Sequence, residues 1–132
     1  MDYQEAITFL YDSLPMFQKI GKAAFKKDLT NTLAFCARLG EPQHAFPSVH
    51  IAGTNGKGSS AHSIAAVLQA AGYKTGLYTS PHLKDFTERI RVNGEAISRQ
   101  AVIRFVEEQQ DFIRELQPSF FETTVALAFD YF

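Results

Sequence analysis

The most constraining feature is a glycine-rich heptapeptide, Gly53-Thr54-Asn55-Gly56-Lys57-Gly58-Ser59, set between two segments of different rhythm. Before it, Val49-His50-Ile51-Ala52 is a short apolar run suited to a strand. After it, Ser59 to Ala71 carries Ile64, Val67, Leu68 and Ala71 at helical spacing, with Gly72 as the stop. A second apolar run, Thr75 to Thr79, completes a predicted βαβ unit over residues 49–79, with parallel strands and a right-handed crossover. The chain is therefore expected to be α/β, a parallel sheet flanked by helices. In such a unit both strand ends lie on one sheet edge, where α/β ligands bind, so Thr79-Ser80-Pro81-His82 is expected to face the glycine turn.

A turn of this kind offers successive backbone N–H groups and a helix N-terminus to an anion. Glycine permits close approach, Lys57 supplies a point charge, and a hydroxyl at Ser59 or Ser60 can reach Mg²⁺. Gly53, Thr54, Asn55, Gly56, Lys57, Gly58 and Ser59 are the candidate phosphate ligands. The strict phosphate-loop pattern is not met: Ile51 stands five residues before Gly56 where glycine is required, and Gly58 follows Lys57 in place of Ser or Thr. Ser80 is a candidate Mg²⁺ ligand, because that ion takes hydroxyls, carboxylates and water; an ordinary Ser-Pro turn accounts for the same residues. His82 by itself suits an exposed loop.

The flanking segments are predicted to be mostly helical. Ala6, Phe9, Leu10 and Leu14 form one face ended by Pro15. A second helix runs from Asp28 to Leu39 with Leu29, Leu33, Cys36 and Leu39 on one side, stopped by Gly40 and Pro42. Lys19, Lys22, Lys26 and Lys27 between them suit a solvated loop or a local anion patch. Ile90 and Val92 lead into Asn93-Gly94, the preferred pair for a type I′ hairpin, and Ile97 returns. Ser98 opens a helix through Val102, Phe105, Val106, Phe112, Ile113 and Leu116, ended by Pro118. Ser119-Phe120-Phe121-Glu122 has the form of a capping box, which favours a helix over a buried strand ending in a metal-binding Asp130.

The 132 residues carry 13 Lys plus Arg against 14 Asp plus Glu, and this balance gives no field for a polyanion, so nucleic acid is not expected as a partner. The lone Cys36 excludes an internal disulfide and a cysteine-cluster metal site, and its apolar setting suits a buried thiol. Neither a signal-peptide pattern nor an apolar run of membrane-spanning length is visible, so a cytoplasmic protein without membrane contact is expected.

Three stretches together carry a specific resemblance. Ala52 to Ser59, Ala71 to Leu83 and Thr87-Glu88-Arg89-Ile90-Arg91-Val92-Asn93-Gly94 resemble the folylpolyglutamate synthase and dihydrofolate synthase family of Mur-type ligases; Arg38-Leu39-Gly40 and Phe120-Phe121-Glu122 fit as well. In that family a glycine stands between the lysine and serine of the phosphate turn. The resemblance implies ATP-dependent joining of L-glutamate to dihydropteroate or a folate through an acyl phosphate. It implies ATP and Mg²⁺ as cofactors, Lys57 as the catalytic cation on the β/γ-phosphates, and Ser80 with Ser59 as metal ligands. It also implies a pterin or folate site at Ser119, Phe120, Phe121, Glu122 and His82. Glu122 can touch the pterin, complete the capping box, or do both.

Family members continue with a second metal-binding glutamate, a metal-binding histidine, a carbamylated lysine and a C-terminal glutamate-binding domain. Residues 1–132 are thus expected to be the N-terminal portion of the ATP-binding domain, incomplete as an enzyme alone and monomeric at full length, with apolar faces on Ile64, Val67 and Phe129 short of covering partners. A stand-alone nucleotide-binding module is the alternative.

Overall fold

The computed structural model describes residues 1–12 and 28–132, so the expected stop at Pro15 and the lysine-rich stretch from Lys19 to Lys27 lie outside the described residues. It divides into two compact units: Met1–Phe46 with Arg99–Tyr131, and Pro47–Ser98 with Phe132.

The first unit is helical. Helices α1 (Tyr3–Asp12) and α2 (Thr30–Arg38) are followed by a 3₁₀ turn at Pro42–His44, and then by α4 (Arg99–Leu116) and α5 (Phe120–Tyr131). Helix α1 packs on α4, and α5 packs on both α2 and α4. Ala6 and Leu10 of α1, and Val102, Phe105, Val106 and Ile113 of α4, are buried at the spacing the sequence predicts.

Helix α2 buries Cys36 as expected, but the rest of its inward face is rotated from the expected one. Leu29 and Leu33 are 65% and 58% exposed, while Asn31, Phe35 and Cys36 are buried. Aromatic packing accounts for this choice: Phe35, fully buried, stacks on Phe105 at 5.8 Å and meets Phe112 edge-on at 5.3 Å. Such pairs add to the area an aromatic side chain buries. Burial raises the Cys36 thiol pKa, with Glu41 adding to the rise, as suits an inert structural cysteine.

Helix α5 replaces the competing strand, and Asp130 lies within it rather than at a strand end. Its start is the expected capping box: the Ser119 N–H donates to Glu122 Oε2 at 2.8 Å and the Glu122 N–H to Ser119 Oγ at 3.1 Å. Phe129 is partly covered, meeting Phe46 edge-on at 5.9 Å.

In the second unit, α3 (Lys57–Ala70) precedes β1 (Gly76–Tyr78), a 3₁₀ turn at Phe86–Arg89, β2 (Ile90–Val92) and β3 (Glu95–Ala96). The sheet order is β1-β2-β3, and both pairings are antiparallel, with Leu77 opposite Arg91 and Val92 opposite Glu95. The expected parallel pair is therefore corrected. Residues 49–52 form no strand among the described residues, since a strand needs a ladder for its N–H and C=O groups and these residues have none. The hairpin is as expected: Asn93 and Gly94 have φ of 50° and 81°, the sign a type I′ turn requires at both positions.

Helix α3 packs on β1 but buries only Ala65. Ile64, Val67 and Leu68, expected to point inward, are exposed, Val67 at 68%, and Ala71 is exposed too. The exposure of Ile64 and Val67 agrees with the expectation that their face is short of covering partners. The small core of this unit is Ala65, Phe86, Ile90 and Ile97.

Candidate functional site

The glycine turn is open to solvent from Gly53 to Ser60. Gly56 caps α3 at φ 76°, a left-handed conformation that costs a side-chain-bearing residue energy and costs glycine none. The helix starts at Lys57, two residues earlier than expected, so its first turn is built from the lysine, Gly58 and Ser59 themselves. Its first internal bond runs from the Ser60 N–H to the Gly56 carbonyl at 3.0 Å. The N–H groups of the preceding helical residues have no acceptor within the helix, as at any helix start. Lys57 Nζ donates to the Gly53 carbonyl at 2.6 Å, which folds the ammonium back over the turn. Gly58 has no such conformational need: it is helical, and a Cβ built there meets nothing within 4 Å. Since glycine in a helix is about 0.5–1 kcal/mol worse than alanine, the fold alone gives no reason for it.

The loop after β1 holds the second group of candidates. Ser80 is exposed and precedes a cis peptide bond to Pro81. The strand that leads into this loop pairs antiparallel with β2, not in parallel with residues 49–52. His82 is half-buried rather than exposed, because Arg89 Nε donates to its Nδ1 at 2.8 Å and the Phe86 ring lies edge-on at 6.4 Å. Desolvation, followed by the Arg89 charge, lowers the His82 pKa, so the ring is neutral at physiological pH, with Nδ1 accepting and the proton on Nε2.

Glu88 and Arg89 organise this loop, and sequence reasoning did not assign them a task. The Glu88 carboxylate accepts the N–H groups of Leu83, Lys84 and Asp85 at 3.0, 2.9 and 2.9 Å. These backbone bonds, led by that of Leu83, lower its pKa. Asp85 Oδ1 in turn accepts from the Thr87 N–H and hydroxyl at 3.0 and 2.7 Å. An aspartate followed three residues later by a glutamate is a capping pattern, and this signal in Asp85-Phe86-Thr87-Glu88 could have revealed the device.

The third group is Ser119 to Glu122, in the helical unit. Phe120 is a core residue stacked on Tyr11 at 4.8 Å, which removes it from the surface available to a ligand. Phe121 is 51% exposed and Glu122 half-exposed. Glu122 Oε2 takes the Ser119 N–H and also the Asn31 Nδ2 at 3.2 Å. That second donor explains the buried Asn31, whose position on an apolar helix face gave no sequence signal.

Hydroxyl oxygens at Ser59 and Ser80 are donors of the kind Mg²⁺ accepts alongside phosphate and water. Among the described residues no group of three His, Cys, Asp or Glu could hold a metal by itself.

No protein-family model matches the chain. A probable bifunctional folylpolyglutamate synthase/dihydropteroate synthase of Haloferax volcanii is 39% identical over 100% of this chain and 16% of its own length. A dihydrofolate synthase/folylpolyglutamate synthase of Bacillus subtilis is 38% identical over 98% of the chain and 30% of its own. Among solved structures, folylpolyglutamate synthase from Thermotoga maritima superposes with a TM-score of 0.85 at 38% identity, covering 98% of this chain and 30% of that one. A folylpolyglutamate synthase complex with AMPPCP and folate gives 0.83 at 37% identity, covering 100% and 32%. The fold is thus that of a stretch of these ligases. The chain belongs to the folylpolyglutamate synthase/dihydrofolate synthase family and spans at most about a third of the length of these relatives.

Proposed function

We propose that this chain is the N-terminal, ATP-binding portion of a cytoplasmic ligase that joins L-glutamate to dihydropteroate, a tetrahydrofolate, or both. The observation that carries the proposal is the start of α3, where an exposed Lys57 and an otherwise unexplained Gly58 open a helix whose N-terminus faces solvent. Such a helix start suits a phosphate, and a family member binds the ATP analogue AMPPCP together with folate.

In this mechanism the backbone of Gly53 to Ser59 encloses the phosphates, and Lys57 leaves the Gly53 carbonyl to bridge the β- and γ-phosphates. Its charge offsets the negative charge that develops as the γ-phosphoryl group moves to a substrate carboxylate, giving an acyl phosphate and ADP. The glutamate amine then attacks the acyl carbon, loses a proton, and expels inorganic phosphate to leave an amide. Ser59 and Ser80 would hold Mg²⁺, which supplies charge neutralisation on the phosphates when bound. Phe121 offers an aromatic face to the flat pterin, and Glu122 a carboxylate acceptor beside it.

The full-length enzyme is expected to be monomeric, to need the residues its relatives carry beyond this stretch, and to use no nucleic acid or membrane. Among the described residues no helix is long and apolar enough to cross a membrane. The test is release of ADP and phosphate by the full-length protein. Release should require glutamate and dihydropteroate or tetrahydrofolate together, and Lys57→Ala should abolish it without altering the circular dichroism spectrum. ATP turnover indifferent to the pterin would overturn the proposal. The 132-residue chain alone should bind ATP without hydrolysing it, the behaviour it shares with a stand-alone nucleotide-binding module; glutamate-dependent turnover separates the two only at full length.

A further inference from the structure

Ser80 sits on a loop whose neighbours on both sides are tied to one dipeptide. On the N-terminal side the Thr79 N–H donates to the Arg89 carbonyl at 2.9 Å. On the C-terminal side Arg89 Nε holds His82 at 2.8 Å, and the Glu88 carboxylate gathers the next three amides. Both Glu88 oxygens are engaged, Oε2 by Leu83 and Oε1 by Lys84 and Asp85. Arg89 is itself buried, with its guanidinium 5.9 Å from the Phe86 ring centroid, so the anchor does not swing freely in solvent. Among these loop residues only Ser80 and Pro81 lie outside the clamp, and Ser80 is exposed.

We infer that Glu88 is a positioning residue: with Arg89 it forms a two-residue clamp that fixes Ser80 for the metal–phosphate group. This inference rests on the proposed role of Ser80 and adds a residue to it. A neutral amide in place of the carboxylate loses the function at once. Gln has a single acceptor oxygen, and its NH₂ group confronts backbone donors that the second carboxylate oxygen accepts. Charge-assisted acceptance is also the stronger kind, so the loss falls on bonds that dominate the loop.

The experiment uses the 132-residue chain with Glu88→Gln, Glu88→Asp and Ser80→Ala. Hydrogen exchange should show the Leu83, Lys84 and Asp85 amides protected in the wild type and exchanging roughly tenfold or more faster in Glu88→Gln, with α4 amides unchanged. ATP affinity, measured in Mg²⁺ and in EDTA, separates positioning from general structural damage. Glu88→Gln should leave binding in EDTA unchanged and lose most of the gain that Mg²⁺ gives, matching Ser80→Ala. Glu88→Asp, which keeps the charge on a shorter arm, should recover part of that gain. A full Mg²⁺ gain in Glu88→Gln, or loop amides as protected as in the wild type, would overturn the clamp. A wild-type chain that binds ATP equally in Mg²⁺ and EDTA would instead overturn the metal role of Ser80. No binding in either condition would overturn the proposed nucleotide site.

Discussion

Gly58→Ala should make the chain more stable and a poorer ATP binder. The residue is the second of α3, its backbone lies outside the left-handed region, and an added Cβ would meet no protein atom within 4 Å. Alanine in such a position lowers the entropy of the unfolded chain without a steric penalty, a gain of about 0.4–1 kcal/mol. For a chain of this size that is a rise of roughly 2–4 °C in the unfolding midpoint, read by circular dichroism. The same methyl group would stand where a phosphate must approach the backbone. Loss of one charge-assisted hydrogen bond, about 1.5–3 kcal/mol, weakens ATP roughly 10-fold to 150-fold in a titration. The two effects have opposite signs, so no general loosening of the fold can imitate them. A destabilised variant would show that the fold itself needs glycine there, and unchanged ATP affinity would show that no phosphate approaches.

Phe35→Ala should cost about 3–5 kcal/mol in chemical denaturation, because it empties a fully buried ring site against Phe105 and Phe112; a loss below about 1 kcal/mol would contradict that packing. Gly76→Ala should destabilise the second unit by about 1–3 kcal/mol, since its Cβ would lie 2.6 to 2.8 Å from the Phe132 ring. Combining it with Phe132→Ala should cost less than the sum of the two single changes, and strict additivity would place the two residues apart. Acid should release the loop after β1. The Glu88 pKa is lowered in the folded state, chiefly by the Leu83 and Asp85 amides, so its contribution is present above the ordinary glutamate value and is lost as pH falls through the lowered folded one. Amide shifts of Leu83, Lys84 and Asp85 should report one common titration below that ordinary value, and a midpoint above it would refute the sign.

Local chemistry was the most legible part of the fold. Asn93-Gly94 specifies its turn through backbone conformation alone, and Ser119 with Glu122 specifies a helix start through two reciprocal hydrogen bonds. Neither depends on distant partners. The errors concern faces and ladders, which do. Leu29 and Leu33 lie on an apolar stripe, yet a stripe does not say what covers it, and on α2 the aromatic cluster around Phe35 prevails. Residues 49–52 have strand-like composition without a ladder, and β1 finds its partner in the hairpin that follows. At the site, the glycine turn was visible as a motif. Asn31 and Glu88 act through side chains that meet donors or acceptors only after folding.

The brevity of the sheet has a consequence for motion. Its strands are three, three and two residues long, and only Ala65, Phe86, Ile90 and Ile97 form the apolar interior of that unit. The helical unit closes over a larger set of buried side chains, including Phe35, Leu10, Val102 and Ile113. Residues 47–98 should therefore lie at the labile end of the chain's range of local stabilities. The glycine turn lies in that labile unit, so a bound nucleotide would stabilise the unit by mass action, by about 2.7 kcal/mol at a concentration one hundred times its dissociation constant. ATP would then act as a conditional part of the core, present in the folded unit when the cell supplies it and missing when it does not.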